Sequence, residues 1–280
     1  MDSHSDLIEH AADLIAQSHA LVVACGAGMG VDSGLPDFRG TEGFWRAYPA
    51  LGREGIEFYR IANPQAFHVN PARAWGFYGH RLNLYRQTKP HEGFSLLSGW
   101  AERTLDGGCV FTSNVDGHFQ LAAPDLKPIE ECHGSIHHLQ CLAGCSPQIW
   151  PADEFSPVVD EANCLLLNEP PRCSKCGALA RPNVMMFGDF DWQEERQQNQ
   201  SKALEQWLSR ASRPVVVEIG AGTAIPSVRH FTHRVLHEFD GRLVRINPRE
   251  WTVPTQRDVG IPMGALQTLQ AIDRALAERW

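Results

Sequence analysis

Two hydrophobic patterns take turns along the chain: apolar residues at helical spacing, and short runs that are apolar throughout. Leu7, Ile8, Ala11, Leu14 and Ile15 recur at helical spacing and predict an amphipathic helix over residues 6–18. The run Ala20 to Ala24 reads as a buried strand that empties into a turn carrying Gly26, Gly28, Gly30 and Gly34. The stretch from Phe38 to Tyr78 is rich in aromatics and shows helical patches but no strand, so residues 41–89 read as a helical insert. Asn70-Pro71 supplies an N-cap and a first-turn proline for a helix over 71–88. Further helices are expected at 93–103, 198–211, 226–239 and 264–279, and further strands at 109–112, 128–132, 183–187, 215–219 and 242–246. Residues 139–181 are rich in cysteine and proline and poor in periodicity, which marks a small insert.

Strands that alternate with helices imply an α/β fold, a parallel sheet with helices on both faces. The expected division is a nucleotide-binding sheet domain from 1–40, 90–136 and 183–280, the helical insert at 41–89, and a small module at 137–182. Such sheets bind ligands outside the carboxyl ends of their strands. Gly26 to Arg39, Ser113 to Asp116, Cys132-His133, Phe187 to Asp189, Gly220 to Thr223 and Asn247 all fall at those ends.

Composition narrows the class. A net charge of −8 argues against general nucleic-acid binding. No apolar run approaches the roughly 20 residues that span a bilayer. The acidic, polar stretch Met1 to Asp6 is unlike a secretory signal, so the cytoplasm is the expected compartment. The eight cysteines then read as thiols or metal ligands rather than as a disulfide framework. Cys141-x3-Cys145 and Cys173-x2-Cys176 form two close pairs suited to a tetrahedral zinc. Four thiolates leave no open position, so that zinc is expected to be structural; Cys164 is a spare candidate ligand. Cys25, Cys109 and Cys132 sit in or beside strands and read as core thiols.

The chemistry-bearing residues stay ambiguous one at a time. The first glycine turn suits a dinucleotide phosphate or a tight strand-to-helix turn, and it departs from strict G-x-G-x-x-G spacing. Asn114 and Asp116 are a carboxamide-reading pair or a polar turn. His133, just past a strand, is a general base near neutral pH or a structural histidine, with His118, His137 and His138 as rivals.

Taken together they resemble a family. Gly26-Ala27-Gly28 through Gly34-Leu35-Pro36-Asp37-Phe38-Arg39, Asn114-x-Asp116-Gly117, His133-Gly134-Ser135, the two cysteine pairs, Arg181-Pro182-Asn183-Val184, Phe187-Gly188-Asp189, the second glycine turn and Asn247 occur in the order found in the sirtuins. The resemblance implies a Rossmann-like domain and a small zinc-binding domain, with NAD and an acylated lysine of a protein or peptide meeting between them. NAD is then a co-substrate: nicotinamide leaves and the acyl group ends on ADP-ribose. It implies His133 as the base, with Asn114 and Asp116 holding nicotinamide and its ribose. Gly26, Ala27, Gly28, Asp37, Phe38 and Arg39 would line the nicotinamide and phosphate pocket. Gly220, Gly222, Thr223 and Asn247 would hold the adenosine half, and Phe187-Gly188 the substrate.

Tyr78 and Arg81 share a helix face and are similar to the pair that the desuccinylating branch uses for an acidic acyl chain. The chain departs from the family at Ser113, which replaces a glutamine expected to reach the ribose, at Asp189, and at Gly220-Ala221-Gly222-Thr223. These changes suggest a divergent, bacterial-type branch. Two other readings use the same pocket: an NAD glycohydrolase or ADP-ribosyltransferase, and a non-catalytic NAD- or ADP-ribose-sensing module.

Overall fold

The computed structural model describes residues 3–36 and 40–280. The chain opens with α1 (Ser3–Ala16), β1 (Ala20–Cys25) and a 3-10 helix (Ala27–Ser33). Five helices follow: α2 (Gly40–Ala47), α3 (Pro49–Arg53), α4 (Phe58–Ile61), α5 (Pro64–Val69) and α6 (Pro71–Gln87). Next come α7 (Gly93–Arg103), β2 (Gly108–Thr112), α8 (His118–Ala122), β3 (Ile129–Glu131), β4 (Gly134–Cys141) and β5 (Ile149–Pro151). After β6 (Val159–Asp160), β7 (Leu165–Leu166) and β8 (Ala180–Val184), the chain runs through α9 (Glu195–Leu208), β9 (Pro214–Ile219), α10 (Ser227–Glu238), β10 (Arg242–Ile246), β11 (Val259–Ile261) and α11 (Ala265–Leu276).

Six strands form one sheet in the order β11-β10-β9-β1-β2-β3, and every pairing is parallel. The strand order reverses between β1 and β9, the switch point at which such sheets open a crevice. Both central strands are buried along their whole length, which is why they read as continuous apolar runs. The pleat sends alternate residues to opposite faces. Leu21, Val23 and Cys25 pack with α1, α7 and α11, while Val22 and Ala24 pack with α9 and α10.

The aromatic insert does not form a core of its own. Phe44, Tyr48, Phe67, Trp75, Phe77 and Tyr78 join Ile136, Leu139 and Val184 in one apolar cluster. The Trp75 indole donates to the Ala180 carbonyl at 3.0 Å and ties α6 to β8. The predicted cap of α6 is present, since the Asn70 side chain accepts from the Arg73 amide at 3.0 Å.

The strand expected over 183–187 lies elsewhere. It is β8, which ends at Val184 and pairs antiparallel with β4 in a three-stranded sheet, β5-β4-β8, rather than joining the parallel sheet. Strand β4 was not foreseen. Its Ser135, His137, His138 and Gln140 break any apolar alternation, and a bulge shifts its register between Ser135 and Leu139.

Candidate active site

A cavity of about 830 Å³ opens where β1, β2 and β9 end. That size lies within the roughly 300–1,000 Å³ range of cofactor and substrate sites. Two turns, one after β1 and one after β9, form one wall through Gly26, Ala27, Gly220 and Gly222. They lie back to back, and the Gly28 amide donates to the Gly220 carbonyl at 3.1 Å. A Cβ on Gly220 would stand 2.4 Å from the Gly28 Cα, and Gly220 sits at φ +61°. These glycines are therefore required by the approach of the turns to each other, besides leaving bare backbone toward a ligand. The chain after β1 continues as a 3-10 helix.

Ser113, Asn114 and Asp116, just past β2, line the middle of the cavity. Asp116 is fixed from two sides: its Oδ1 accepts from the His118 amide at 2.9 Å, and its carbonyl accepts from His137 Nε2 at 2.8 Å. Among the described residues, His133 is the only histidine in the cavity wall. Its rival His118 is buried outside that wall, and His137 is engaged with the Asp116 backbone. Burial holds the His133 imidazole below its ordinary pKa, partly offset by the Ser113 carbonyl, so the ring is neutral at pH 7. His133 Nε2 lies 3.1 Å from Ser227 Oγ, a residue that no sequence signal singled out.

Tyr78, Arg81 and Tyr85 from α6 also line the cavity. The Arg81 guanidinium donates to the Tyr85 hydroxyl at 3.0 and 2.7 Å and lies over the rings of Phe77, Tyr78 and Tyr85. Burial pushes the Tyr78 phenol up, so it stays protonated. Phe187 lines the cavity with its ring edge-on to Phe58, and its amide donates to the Ala62 carbonyl at 2.9 Å. Asp189 turns inward and grips Arg181 with two hydrogen bonds, at 2.6 and 2.8 Å.

Several predicted positions lie off the cavity wall. Gly28 faces Gly220, Thr223 is exposed, and Gly188 sits beside the wall at φ +64°. Asn247 is buried and committed to the turn after β9: its amide donates to the Ala221 carbonyl, and its oxygen accepts from Arg249 and Glu250. It shapes that turn instead of presenting its side chain to the cavity. Arg249 and Glu250, which were not foreseen, line the cavity behind it. Asp37, Phe38 and Arg39 lie outside the described residues.

The four cysteines of the small module converge. Sγ of Cys141 lies 3.6 Å from that of Cys176, and Cys145 from Cys173 likewise 3.6 Å, with all four within 4.8 Å of one another. Zinc–sulfur bonds of about 2.3 Å in a tetrahedron put sulfurs about 3.8 Å apart, whereas a disulfide needs about 2.05 Å. The set fits a structural zinc. The Cys176 amide draws the Cys173 thiol down to about 7, toward the thiolate that zinc binds. Cys164, the spare candidate, is buried in the aromatic cluster away from this set.

A parallel sheet with a switch-point cavity, together with a four-thiolate centre, defines a nucleotide-binding α/β protein with a metal-stapled module. The chain belongs to the Sir2 family, whose model matches residues 26–217. It is 31% identical over 268 residues to NAD-dependent protein deacylase 2 of Pyrobaculum aerophilum, covering 96% of this chain and 95% of that one. It is 28% identical over 260 residues to the NAD-dependent protein deacylase of Aquifex aeolicus, covering 93% and 96%. A solved mutant Sir2 homologue in complex with ADP ribose superposes with a TM-score of 0.73 at 25% identity, covering 99% of this chain and 97% of that one.

Proposed function

We propose that this chain is an NAD-dependent protein-lysine deacylase that releases nicotinamide and transfers the acyl group to ADP-ribose. One observation carries the reading beyond the family match. The single described histidine of the cavity wall, neutral at pH 7, shares that wall with Asn114 and Asp116. A neutral imidazole can take a proton from a ribose hydroxyl. Asn114 can donate to and accept from a carboxamide, and Asp116 is braced to hold a hydroxyl. NAD, when bound, supplies the electrophilic ribose carbon. Gly26, Ala27, Gly220 and Gly222 would cradle its phosphates and adenosine half, with Asn247 and Thr223 acting from behind the wall. Asp37, Phe38 and Arg39 keep the nicotinamide-side roles that the family pattern implies. Nicotinamide release should require both NAD and an acyl-lysine peptide. His133→Ala should lower it roughly 10²–10⁴-fold, the usual contribution of a general base. Equal release without peptide would favour NAD hydrolysis instead.

We further infer an acidic acyl chain as substrate, because Tyr78 and Arg81 line the same cavity as the glycine turns. Succinyl and glutaryl peptides should outrun acetyl. Arg81→Met should cut kcat/KM for them roughly 10–100-fold, as loss of a charged hydrogen bond implies. A preference for acetyl that is insensitive to Arg81→Met would refute this. Phe187 and Gly188 are the proposed peptide-side contacts.

The division at 41–89 and 137–182 remains our reading of the domains; a separate core and separate sheets set both segments apart from the parallel-sheet domain, while the two share one apolar cluster. No helix among the described residues is long and apolar enough to cross a membrane. A cytoplasmic location is proposed on the thiol-rich composition.

A further inference from the structure

We propose that Ser227 is a positioning residue for His133, its hydroxyl fixing the ring and its tautomer so that Nε2 is the atom that takes the substrate's proton. The inference rests on the reading of His133 as the base. The two residues are 94 positions apart, and Ser227 Oγ lies 3.1 Å from His133 Nε2. The backbone of Ser113 favours the protonated ring, as a carbonyl acceptor facing it would. With Nε2 given to Ser227, that carbonyl takes the proton of Nδ1. Which ring nitrogen carries the proton is set by the partner of the other one. The basic lone pair is therefore on Nε2.

Ser227 is held in place rather than loosely poised. It is the first residue of α10, and the cap position is Pro226, which uses no side chain. Two residues on, Arg229 anchors the helix end. It donates to the carbonyls of Ala221 at 3.1 Å and Glu250 at 2.6 Å, and it pairs with Glu218 at 3.1 Å. The Ser227 hydroxyl thus reaches His133 from the anchored turn after β9.

A hydroxyl suits this place because it both donates and accepts. While the ring is neutral, Ser227 O–H donates to the Nε2 lone pair. When the substrate hydroxyl takes the place of the Ser227 O–H on the Nε2 lone pair and gives up its proton, the ring becomes an imidazolium and the substrate an alkoxide. Nδ1–H still donates to the Ser113 carbonyl, and Ser227 Oγ now accepts from Nε2–H. Neither state leaves a buried ring nitrogen without a partner, a loss that is costly in a buried site. Alanine satisfies neither state, and threonine satisfies both.

The test begins on the unliganded protein. Ring nitrogen-15 shifts of His133 should report the Nδ1–H tautomer in the natural chain, a mixture of tautomers in Ser227→Ala, and recovery in Ser227→Thr. In turnover with NAD and acyl-lysine peptide, Ser227→Ala should lower kcat roughly 10–100-fold, less than removal of the base itself. KM for NAD should stay within about twofold, and Ser227→Thr should restore most of kcat. Unchanged ring shifts with unchanged kcat in Ser227→Ala would overturn the proposal, as would a loss confined to KM. His133→Ala separates the two claims. Full activity in that variant would remove the base reading, whatever Ser227 does to the tautomer. An inactive His133→Ala beside a fully active Ser227→Ala would remove the Ser227 proposal alone.

Discussion

The six-stranded and three-stranded sheets are built by different means. The large sheet is held by apolar area. Its central strands carry Val22, Val23, Val216 and Val217 at full burial, sandwiched between helices that bring Ile15, Leu97, Leu208 and Leu269. Charge is buried there too, where Glu218 of β9 pairs with Arg229 and Arg245, but the small sheet leans on charge and amide far more for its size. Arg181 and Asp189 are paired with side chains 1% and 0% exposed, and Gln140 accepts from Asn183 at 2.9 Å beside them. Its outer end converges on four thiols. The first kind of construction tolerates a missing methyl. The second depends on every partner being present.

Zinc removal should separate the two regions most sharply. In small zinc modules the metal supplies roughly 10–16 kcal/mol of apparent free energy. Cys173→Ser, or a strong chelator, should abolish amide-exchange protection in β4, β5 and β8 while β1 and β9 keep theirs. Equal loss in both sheets would show that they fold as one unit. Next in size is Arg181→Met, which strands the Asp189 carboxylate at 0% exposure. It should cost about 3–5 kcal/mol in denaturant unfolding, and adding Asp189→Leu should recover part of it. Val217→Ala in the large sheet should cost only about 2 kcal/mol. If Val217→Ala proves the costlier, the contrast between the sheets fails.

The smallest expected effect is a pH dependence confined to β4. Burial, with help from Arg196 and His137, lowers His138 to about 4. The unfolded chain binds that proton near pH 6.5, so the native state is at a disadvantage below it. Stability from this group is complete above about 6.5, falls as pH drops toward 4, and levels off below. His138→Asn should flatten that part of a stability–pH curve.

The same difference explains what could be read from the sequence. Leu21 to Ala24 and Val215 to Ile219 are apolar because both sheet faces are covered, so their strands stand out without any structure. Asn70-Pro71 marked the start of α6 through local cap chemistry. Strand β4 and the start of β8 were obscured because Gln140 and Arg181 look like surface residues. Their partners lie far along the chain or in the loop after β8.

Within the site, Gly26, Asn114, Asp116 and His133 were visible as residues at strand ends. Their shared cavity follows from strand order, which no local pattern encodes. Ser227 and Tyr85 carried no signal, since each acquires meaning only through its contact with His133 or Arg81.

The central claim is that this cavity joins cleavage of NAD to removal of an acyl group. It is tested most directly by the product balance of one reaction, with purified protein, NAD and an acyl-lysine peptide analysed by mass spectrometry. The account predicts one O-acyl-ADP-ribose for each nicotinamide released, and neither product when peptide is left out. Nicotinamide accompanied by free ADP-ribose at the same rate with and without peptide would contradict it.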